Sequence, residues 1–328
     1  MIKGISVVIP NFNGITLFND TLPTVFEALE NTNLPYEVIV VDDVSTDDSV
    51  TYLQKNYPAI RVIKNEQNAG FSITANRGIE AATHDKVLLL NSDVQLTPNY
   101  FINQFHYFDD PKTFGVMGRI IGWHDEIIQD GAKYPSSHGV KIKTTGNYLL
   151  QDESKMKAGL YTMYLSGANA FFDKTIFLTI GGINPIFSPF YSEDFELSLR
   201  AWRLGFVCIY DHSSICKHKE SHTIKRSSKR RYVNTIYDRN KMFVHAIHLE
   251  GIKKLLWYVQ LIPETLIRLF TGRWFYLRSL YQFLTSLQKV NTSIAVFNSI
   301  SVQLKTKKSV SEVSEFIKKN ISGKIIKF

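Results

Sequence analysis

Four short apolar runs in the first ninety residues constrain what this chain can fold into. They are Ile5–Pro10, Glu37–Val41, Ile60–Ile63 and Val87–Leu90. Each is too short and too β-branched or leucine-rich to be an amphipathic helix, and helical segments separate them. After the first, Leu17, Leu22, Val25, Phe26 and Leu29 recur at helical spacing. After the second, a helix begins at Val50–Leu53. A turn at Asn68–Ser72 leads into another helix that runs to Ala82. Continuous apolar strands alternating with helices imply a parallel sheet buried on both faces, with right-handed crossovers. The expected class is therefore α/β: a Rossmann-like, mostly parallel sheet with helices on both faces. Neither G-x-G-x-x-G after the first strand nor G-x-x-x-x-G-K-[ST] anywhere is present, so the usual phosphate loops are excluded.

Two of these strands end in carboxylates. The second runs into Asp42 and Asp43, the fourth into Asn91, Ser92 and Asp93. Open α/β sheets bind ligands outside the carboxyl ends of their strands. Each acidic end is, by itself, also good helix-capping chemistry. Two such ends in one sheet are harder to explain as caps. Their charges repel unless a cation or a donor-rich ligand lies between them, and a hard divalent cation suits such oxygens. A third acidic pair, Glu193 and Asp194, opens a helix through Leu204 that stops at Gly205. It reads either as an N-terminal cap or as a carboxylate base behind an apolar wall of Phe187, Phe190 and Tyr191. His212, His218 and His222 cluster further on, with no cysteine at zinc-binding spacing. One of them could join Asp93 on a metal; each alone reads as a surface histidine. Arg239 and Asn240 read as a solvated helix face.

The middle of the chain is less regular. Tyr100–Phe108 reads as helical, Phe114–Gly118 and Tyr161–Leu165 as strands, and 127–148 as loop or hairpin. Phe206–Tyr210 is the last expected strand. Residues 1–212 carry 16 Lys and Arg against 24 Asp and Glu, whereas 213–328 carry 22 against 6. An acidic body is thus followed by a basic C-terminal third, which suggests an anionic partner. Tyr232, Ile236, Phe243 and Ile247 mark an amphipathic helix. Leu255–Ile262 is apolar for eight residues and ends at Pro263, far short of the roughly 20 needed to span a bilayer. Trp274, Leu277, Tyr281 and Leu284 form another stripe. The expected division is 1–224 and a basic amphipathic helical region, 225–328. Those helices either lie on an anionic membrane, with Trp274, Tyr276 and Tyr281 at the interface, or cap the body with their basic residues in solvent. Cys208 and Cys216 fit a reducing compartment, and the N-terminus does not read as a signal peptide. The expected location is cytoplasmic, with peripheral attachment to the inner face of the cell membrane.

Seven motifs in order make the chain resemble an inverting family-2 glycosyltransferase with the A-type fold, over about residues 3–245. They are Ser6–Asn13, Val40–Ser49, Asn68–Ile79, Leu88–Val94, Ser166–Asn169, Gly181–Asn184 and Tyr191–Arg200. The flavour is similar to the bacterial rhamnosyltransferase-type subgroup. The resemblance implies a catalytic domain at 1–224 that binds a nucleoside-diphosphate sugar. It would transfer the sugar to a hydroxyl of a glycan or lipid-linked acceptor, in cell-surface polysaccharide synthesis, using Mn²⁺ or Mg²⁺. It implies that Pro10, Asn11, Asp42 and Asp43 surround the nucleoside, that Asn68, Gly70 and Asn76 follow the diphosphate, and that Asn91 and Ser92 complete the donor site. Asp93 matches the metal-binding Asp of the D-x-D motif, whose first Asp is Asn91 here, which drops one negative charge. His218 matches a metal-reaching histidine. Asp194 matches the base, with Glu193 beside it. Gly167, Ala168, Tyr191 and Trp202 are expected to form the sugar or acceptor wall. A homo-oligomer is admitted, and no nucleic acid is expected. The rival readings are a sugar-1-phosphate nucleotidyltransferase, whose Arg-bearing Gly-rich loop is missing at Pro10–Gly14, and a non-catalytic basic protein that binds nucleic acid or membrane.

Overall fold

The computed structural model describes residues 2–219, 230–321 and 323–328. Its first half follows the strand–helix alternation. Strands β1 (Ile5–Asn11), β2 (Tyr36–Asp42), β3 (Arg61–Lys64) and β4 (Lys86–Leu90) lie in the order β3-β2-β1-β4, all parallel. Helices α1 (Ile15–Glu30), α2 (Ser49–Asn56) and α3 (Phe71–Ala81) connect them. Alternate residues of each strand serve opposite faces. Val7, Ile9, Val38 and Val40 pack with Leu22, Val25 and Leu29 of α1 on one side. Val8, Ile39 and Val41 pack with Ala75 and Ile79 of α3 on the other. Burial on both faces is why these strands read as unbroken apolar runs. The β1–β2 register sets Asn11 opposite Asp42 at the carboxyl edge.

Beyond β4 the sheet becomes mixed. β5 (Val94–Leu96) follows directly, then β6 (Thr113–Gly122), β7 (Ile128–Asp130), β10 (Leu160–Tyr161), β11 (Asn169–Asp173) and β12 (Val207–His218). The order continues β4-β11-β6-β12-β10, with β11 antiparallel to both neighbours. The far end of β12 also pairs with β5, setting His218 opposite Val94. The strand expected at Tyr161–Leu165 is therefore a correction: only Leu160 and Tyr161 pair with β12. Met163 and Leu165 are buried but leave the ladder, the first donating its N–H to the Lys133 carbonyl and the second to Ser198 Oγ. The interior strand is Asn169–Asp173 instead. The 127–148 segment contains a hairpin of β8 (Lys133–His138) and β9 (Lys141–Leu150), extended by β13 (Ile325–Lys327). Residues 102–109 form a 3-10 helix where a helix was expected.

Short helices α4 (Glu153–Met156) and α5 (Lys174–Thr179) precede α6 (Glu193–Arg203). The C-terminal region supplies α7 (Arg230–His248), α8 (Gly251–Phe270), α9 (Phe275–Thr285), α10 (Leu287–Gln303) and α11 (Val310–Lys319). α8 runs through Pro263, past the end of the eight-residue apolar run. Pro263 and Val259 are exposed, so the carbonyl freed by the missing N–H faces water rather than an apolar interior. These helices share the core of the sheet. Phe243, Phe283, Phe297 and Ile317 belong to the same buried cluster as Phe172 and Trp202. The expected boundary at 224/225 lies outside the described residues. Arg203, fully buried, ties the parts together: it donates to the Lys308 and His248 carbonyls and to Glu250 Oε1. Among the described residues, no helix is long and apolar enough to cross a membrane.

Candidate active site

The carboxyl ends of β1, β2 and β4 open into a cleft of ≈ 770 Å³. Pro10, Asn11, Asp43, Asn68, Gly70, Asn91, Ser92 and Asp93 line one side. His218 lies beside Asp93, and Gly167, Ala168, Tyr191, Glu193 and Asp194 complete the lining. The cleft thus gathers most of the residues singled out from the sequence. Three of them lie elsewhere. Trp202 is fully buried, donates its indole N–H to the Thr162 carbonyl at 3.0 Å, and packs edge-on against Tyr161. Its apolar bulk belongs to the core, so it forms no sugar wall. Asn76 clamps Ile183, with Nδ2 donating to its carbonyl and Oδ1 accepting from its N–H. Asp42 lies behind the cleft. It accepts from Asn11 Nδ2 at 2.9 Å and from the Ser45 N–H and Oγ.

The adjacent Asp42 and Asp43 therefore divide the work. Asp42 shapes the loop after β2. Asp43 reaches the cleft and holds the turn before α3, accepting from the Ala69 and Gly70 N–H groups at 2.8 and 2.9 Å and from Asn65 Nδ2. Gly70 is required there. Its φ is +79°, and a Cβ would meet Pro189 Cα at 2.8 Å.

Asp93 is nearly buried, and among the described residues its Oδ1 has no hydrogen-bond partner. His218 Nε2 lies 3.4 Å from that oxygen. The pairing of β5 with β12 causes this proximity, and the Lys219 N–H donates to the Asp93 carbonyl at 3.1 Å. On its other side, His218 Nδ1 is 3.2 Å from Gln129 Oε1. If Nδ1–H donates to Gln129, Nε2 presents a lone pair beside an unpaired carboxylate oxygen. That is a donor set a divalent cation fits, with Gln129 fixing the ring behind it. Among the described residues, no group of three or more His, Cys, Asp and Glu side chains gathers to hold a metal, so Asp93 and His218 form a two-ligand set that diphosphate oxygens would have to complete. His212 is not a competitor. It contacts Arg119 and the Tyr210 hydroxyl away from the cleft, and burial followed by Arg119 lowers its pKa to about 4. His222 lies outside the described residues.

Opposite stands the start of α6. Tyr191 and Ser192 take φ of +76° and +68°, consecutive left-handed conformations that cost a non-glycine residue energy. Their turn aims Asp194 into the cleft. Asp194 Oδ2 accepts from the Gly167 N–H at 3.2 Å, and Oδ1 from the Phe195 N–H at 2.7 Å. Burial nevertheless pushes its pKa up to about 6, against the pull of those two donors. Burial, with the Asp194 charge, raises Glu193 well above its ordinary value, and among the described residues its Oε2 has no partner. Burial thus disfavours the charged form of both carboxyls, and at about 6 Asp194 can exchange a proton not far below neutral pH.

The aromatic loop before α6 is held by residues whose role the sequence hid. Asn240 is fully buried, not on a solvated face, and its Nδ2 lies within 2.9 Å of the Phe187, Phe190 and Tyr191 carbonyls. Arg239 donates to the Ser188 carbonyl at 2.6 Å. Phe190 and Tyr191 line the cleft, whereas Phe187 packs into the core against Phe243.

A second cavity, ≈ 540 Å³, meets the first at Tyr191 and Asp194. β9 and helices α7 to α9 enclose it, with Tyr164, Tyr237, Lys241, Trp257, Glu264 and Arg268 in its walls. Glu264 pairs with Lys141 and Arg268, and Arg268 also with Asp238. The Asp194 carboxylate therefore stands where two chambers join, one bounded by the sheet edge and the other by the C-terminal helices.

The model of glycosyl transferase family 2 matches residues 6–181. The chain is 24% identical over 236 residues to the O-antigen chain rhamnosyltransferase WbaN of Salmonella anatum, covering 70% of each protein. It is 37% identical over 101 residues to the uncharacterized glycosyltransferase YibD of Escherichia coli, a match spanning 30% of this chain and 28% of that protein. Among solved structures, it resembles GalNAc-T7 with UDP, GalNAc and Mn²⁺ at a TM-score of 0.65 and 15% identity, covering 98% of this chain and 57% of that one. At that identity the likeness is one of fold.

Proposed function

The chain belongs to glycosyl transferase family 2, and from that premise we propose that it transfers a sugar from a nucleoside diphosphate to an acceptor hydroxyl with inversion. The observation that carries the reading is the Asp194 carboxylate, titrating near neutrality where the two cavities join. The donor occupies the sheet-edge cleft. Asp43 and Asn11 face its nucleoside, and the 68–70 turn follows its diphosphate. The acceptor hydroxyl enters from the chamber of α7 to α9. Asp194 takes the proton from that hydroxyl, whose oxygen bonds the anomeric carbon from the face opposite the diphosphate. The anomeric C–O bond to phosphate breaks, and nucleoside diphosphate leaves with the bonding electrons. A Mg²⁺ or Mn²⁺ held by Asp93 and His218 would supply charge neutralisation for the departing diphosphate. Burial and the Asp194 charge both disfavour ionisation of Glu193, which limits the negative charge beside Asp194. Tyr191 offers a ring for the sugar to stack on.

The substrate class follows from WbaN, a rhamnosyltransferase acting on the O-antigen chain by name. We read this protein as a hexosyl or deoxyhexosyl transferase of bacterial cell-surface polysaccharide synthesis, working in the cytoplasm on a glycan or lipid-linked acceptor. A thermal-shift series with UDP-, GDP- and dTDP-sugars, with and without Mn²⁺, tests it. One base should stabilise the protein in a metal-dependent way and its sugar should be slowly hydrolysed. If no nucleoside diphosphate stabilises the protein under either condition, the reading fails.

A further inference from the structure

Helix α8 has two opposed faces. Trp257, Leu261, Glu264 and Arg268 point inward and line the second cavity. Leu255, Val259, Ile262, Leu266 and Phe270, three or four residues apart, point outward and are exposed; Ile262 is 65% and Phe270 90% accessible. α9 continues the surface with Trp274 before its first turn, 66% accessible, and Tyr281 on the same side. Tyr276, expected at an interface, is instead buried and lines the cavity. An unbroken apolar stripe along a 20-residue helix, extended by two aromatics, far exceeds the scattered apolar exposure of an ordinary surface.

We propose that this outer face of α8 and α9 docks on an anionic phospholipid bilayer, holding the second cavity beside the membrane. Charge selects this occupant. From 251 to 285 the cations outside the cavity are Lys253, Lys254, Arg273 and Arg278; Arg268 and the one carboxylate, Glu264, are paired with each other inside it. Glu264 is spent on Arg268 and Lys141 inside the cavity. The stripe thus has a cationic rim at both ends. A second copy of this chain would bring two such rims together. An anionic head-group layer complements them, while the apolar side chains enter the acyl boundary about 5–10 Å deep and Trp274 and Tyr281 sit at the head groups. Because one helix carries both faces, docking presents the cavity to molecules held in that leaflet. The inference rests on the transferase reading only in taking the cavity as the acceptor's entrance.

The test is flotation of the full chain with phosphatidylcholine vesicles, alone or with 30 to 40 mol% phosphatidylglycerol (about the anionic content needed for a strong surface potential), in the absence of donor. The full chain should float with the anionic vesicles, and less so as salt rises. The Phe270→Ser/Trp274→Ser variant should lose at least about tenfold in partitioning. Its unchanged nucleoside-diphosphate thermal shift would show that the fold survives. Trp274 provides a second readout in the unaltered protein, a blue shift of emission on anionic vesicles that Trp274→Phe removes. Absence of vesicle binding by the full chain overturns the proposal. So does a dimer that the double variant converts to monomer without any vesicle binding, since a second copy then covers the face. Vesicle binding without any nucleotide response would leave this inference standing and defeat the transferase reading.

Discussion

His218 Nε2 and Asp93 Oδ1, 125 residues apart in sequence, stand 3.4 Å from each other because β12 pairs with β5. Both groups are acceptor-capable, and among the described residues the oxygen has no other partner. Replacing either ligand should remove metal-dependent donor binding. For Asp93→Ala, calorimetry with nucleoside diphosphate and Mn²⁺ should show affinity falling to the metal-free level. Gln129→Ala should weaken Mn²⁺ by about 10- to 100-fold, the usual effect of losing the group that orients a histidine ligand. Unchanged Mn²⁺ titrations for both variants would remove the metal assignment.

Asp194 is the group on which transfer should depend. Asp194→Asn should keep donor binding and lower transfer by on the order of 10²-fold or more. Its pKa is raised to about 6, so the base is available above that pH. The rate should rise with pH through about 6 and then level. The stability sign runs oppositely. A carboxyl whose folded pKa exceeds its unfolded value favours folding most at low pH, and that contribution is lost as pH climbs from the ordinary carboxylate range through about 6. Asp194→Asn should therefore raise Tm more at pH 8 than at pH 5. Equal shifts at both values, measured by calorimetry, would show that Asp194 titrates normally.

Asn240 lines neither chamber, yet it holds three carbonyls of the loop that turns Tyr191 and Ser192 into left-handed conformations. It is a positioning residue. Asn240→Ala leaves buried carbonyls unpaired, at a cost of roughly 1–3 kcal/mol. More tellingly, it should lower kcat by more than it lowers donor affinity, because Asp194 follows this loop directly while the loop meets the donor turn only through Pro189. A proportional loss of both would indicate general unfolding rather than a misplaced Asp194.

These residues also mark how far the sequence could be read. β1 to β4 were legible because burial on both faces leaves an unbroken apolar run. Asp43, Asp93 and Asp194 were legible because each follows a strand end or starts a helix. Asn240 carried no such signal: a lone amide on an amphipathic helix looks solvated until the loop it holds is folded over it. Gln129 lay in a stretch without periodicity. Tyr161–Leu165 misled because its apolar residues are buried, as in a strand, while its N–H groups bond outside the ladder. Trp202 sits in the helix that carries Asp194, but it falls on the side facing Tyr161 and Phe316.

The salt-linked core behind α6 yields the last prediction. Glu196 and Arg200 are buried one turn apart, paired at 2.8 Å, and His248 Nε2 lies 3.2 Å from the same carboxylate. Burial alone would raise Glu196, but Arg200 and His248 hold its pKa down at about 2. A carboxyl lowered in the folded state adds stability that is complete above its unfolded pKa and is lost as pH falls through the folded value. The contribution should fade between about pH 4.5 and 2. Arg200 also donates to the Ile180 and Gly182 carbonyls, so Arg200→Met strands a buried carboxylate and two backbone acceptors together. Removing one partner of such a pair costs roughly 3–5 kcal/mol. The double replacement Glu196→Leu/Arg200→Met should be less damaging than Arg200→Met alone, because no buried charge is left behind. Urea unfolding of the single and double variants decides the point; a double variant less stable than Arg200→Met would mean that the cost lies in packing rather than in the uncompensated carboxylate.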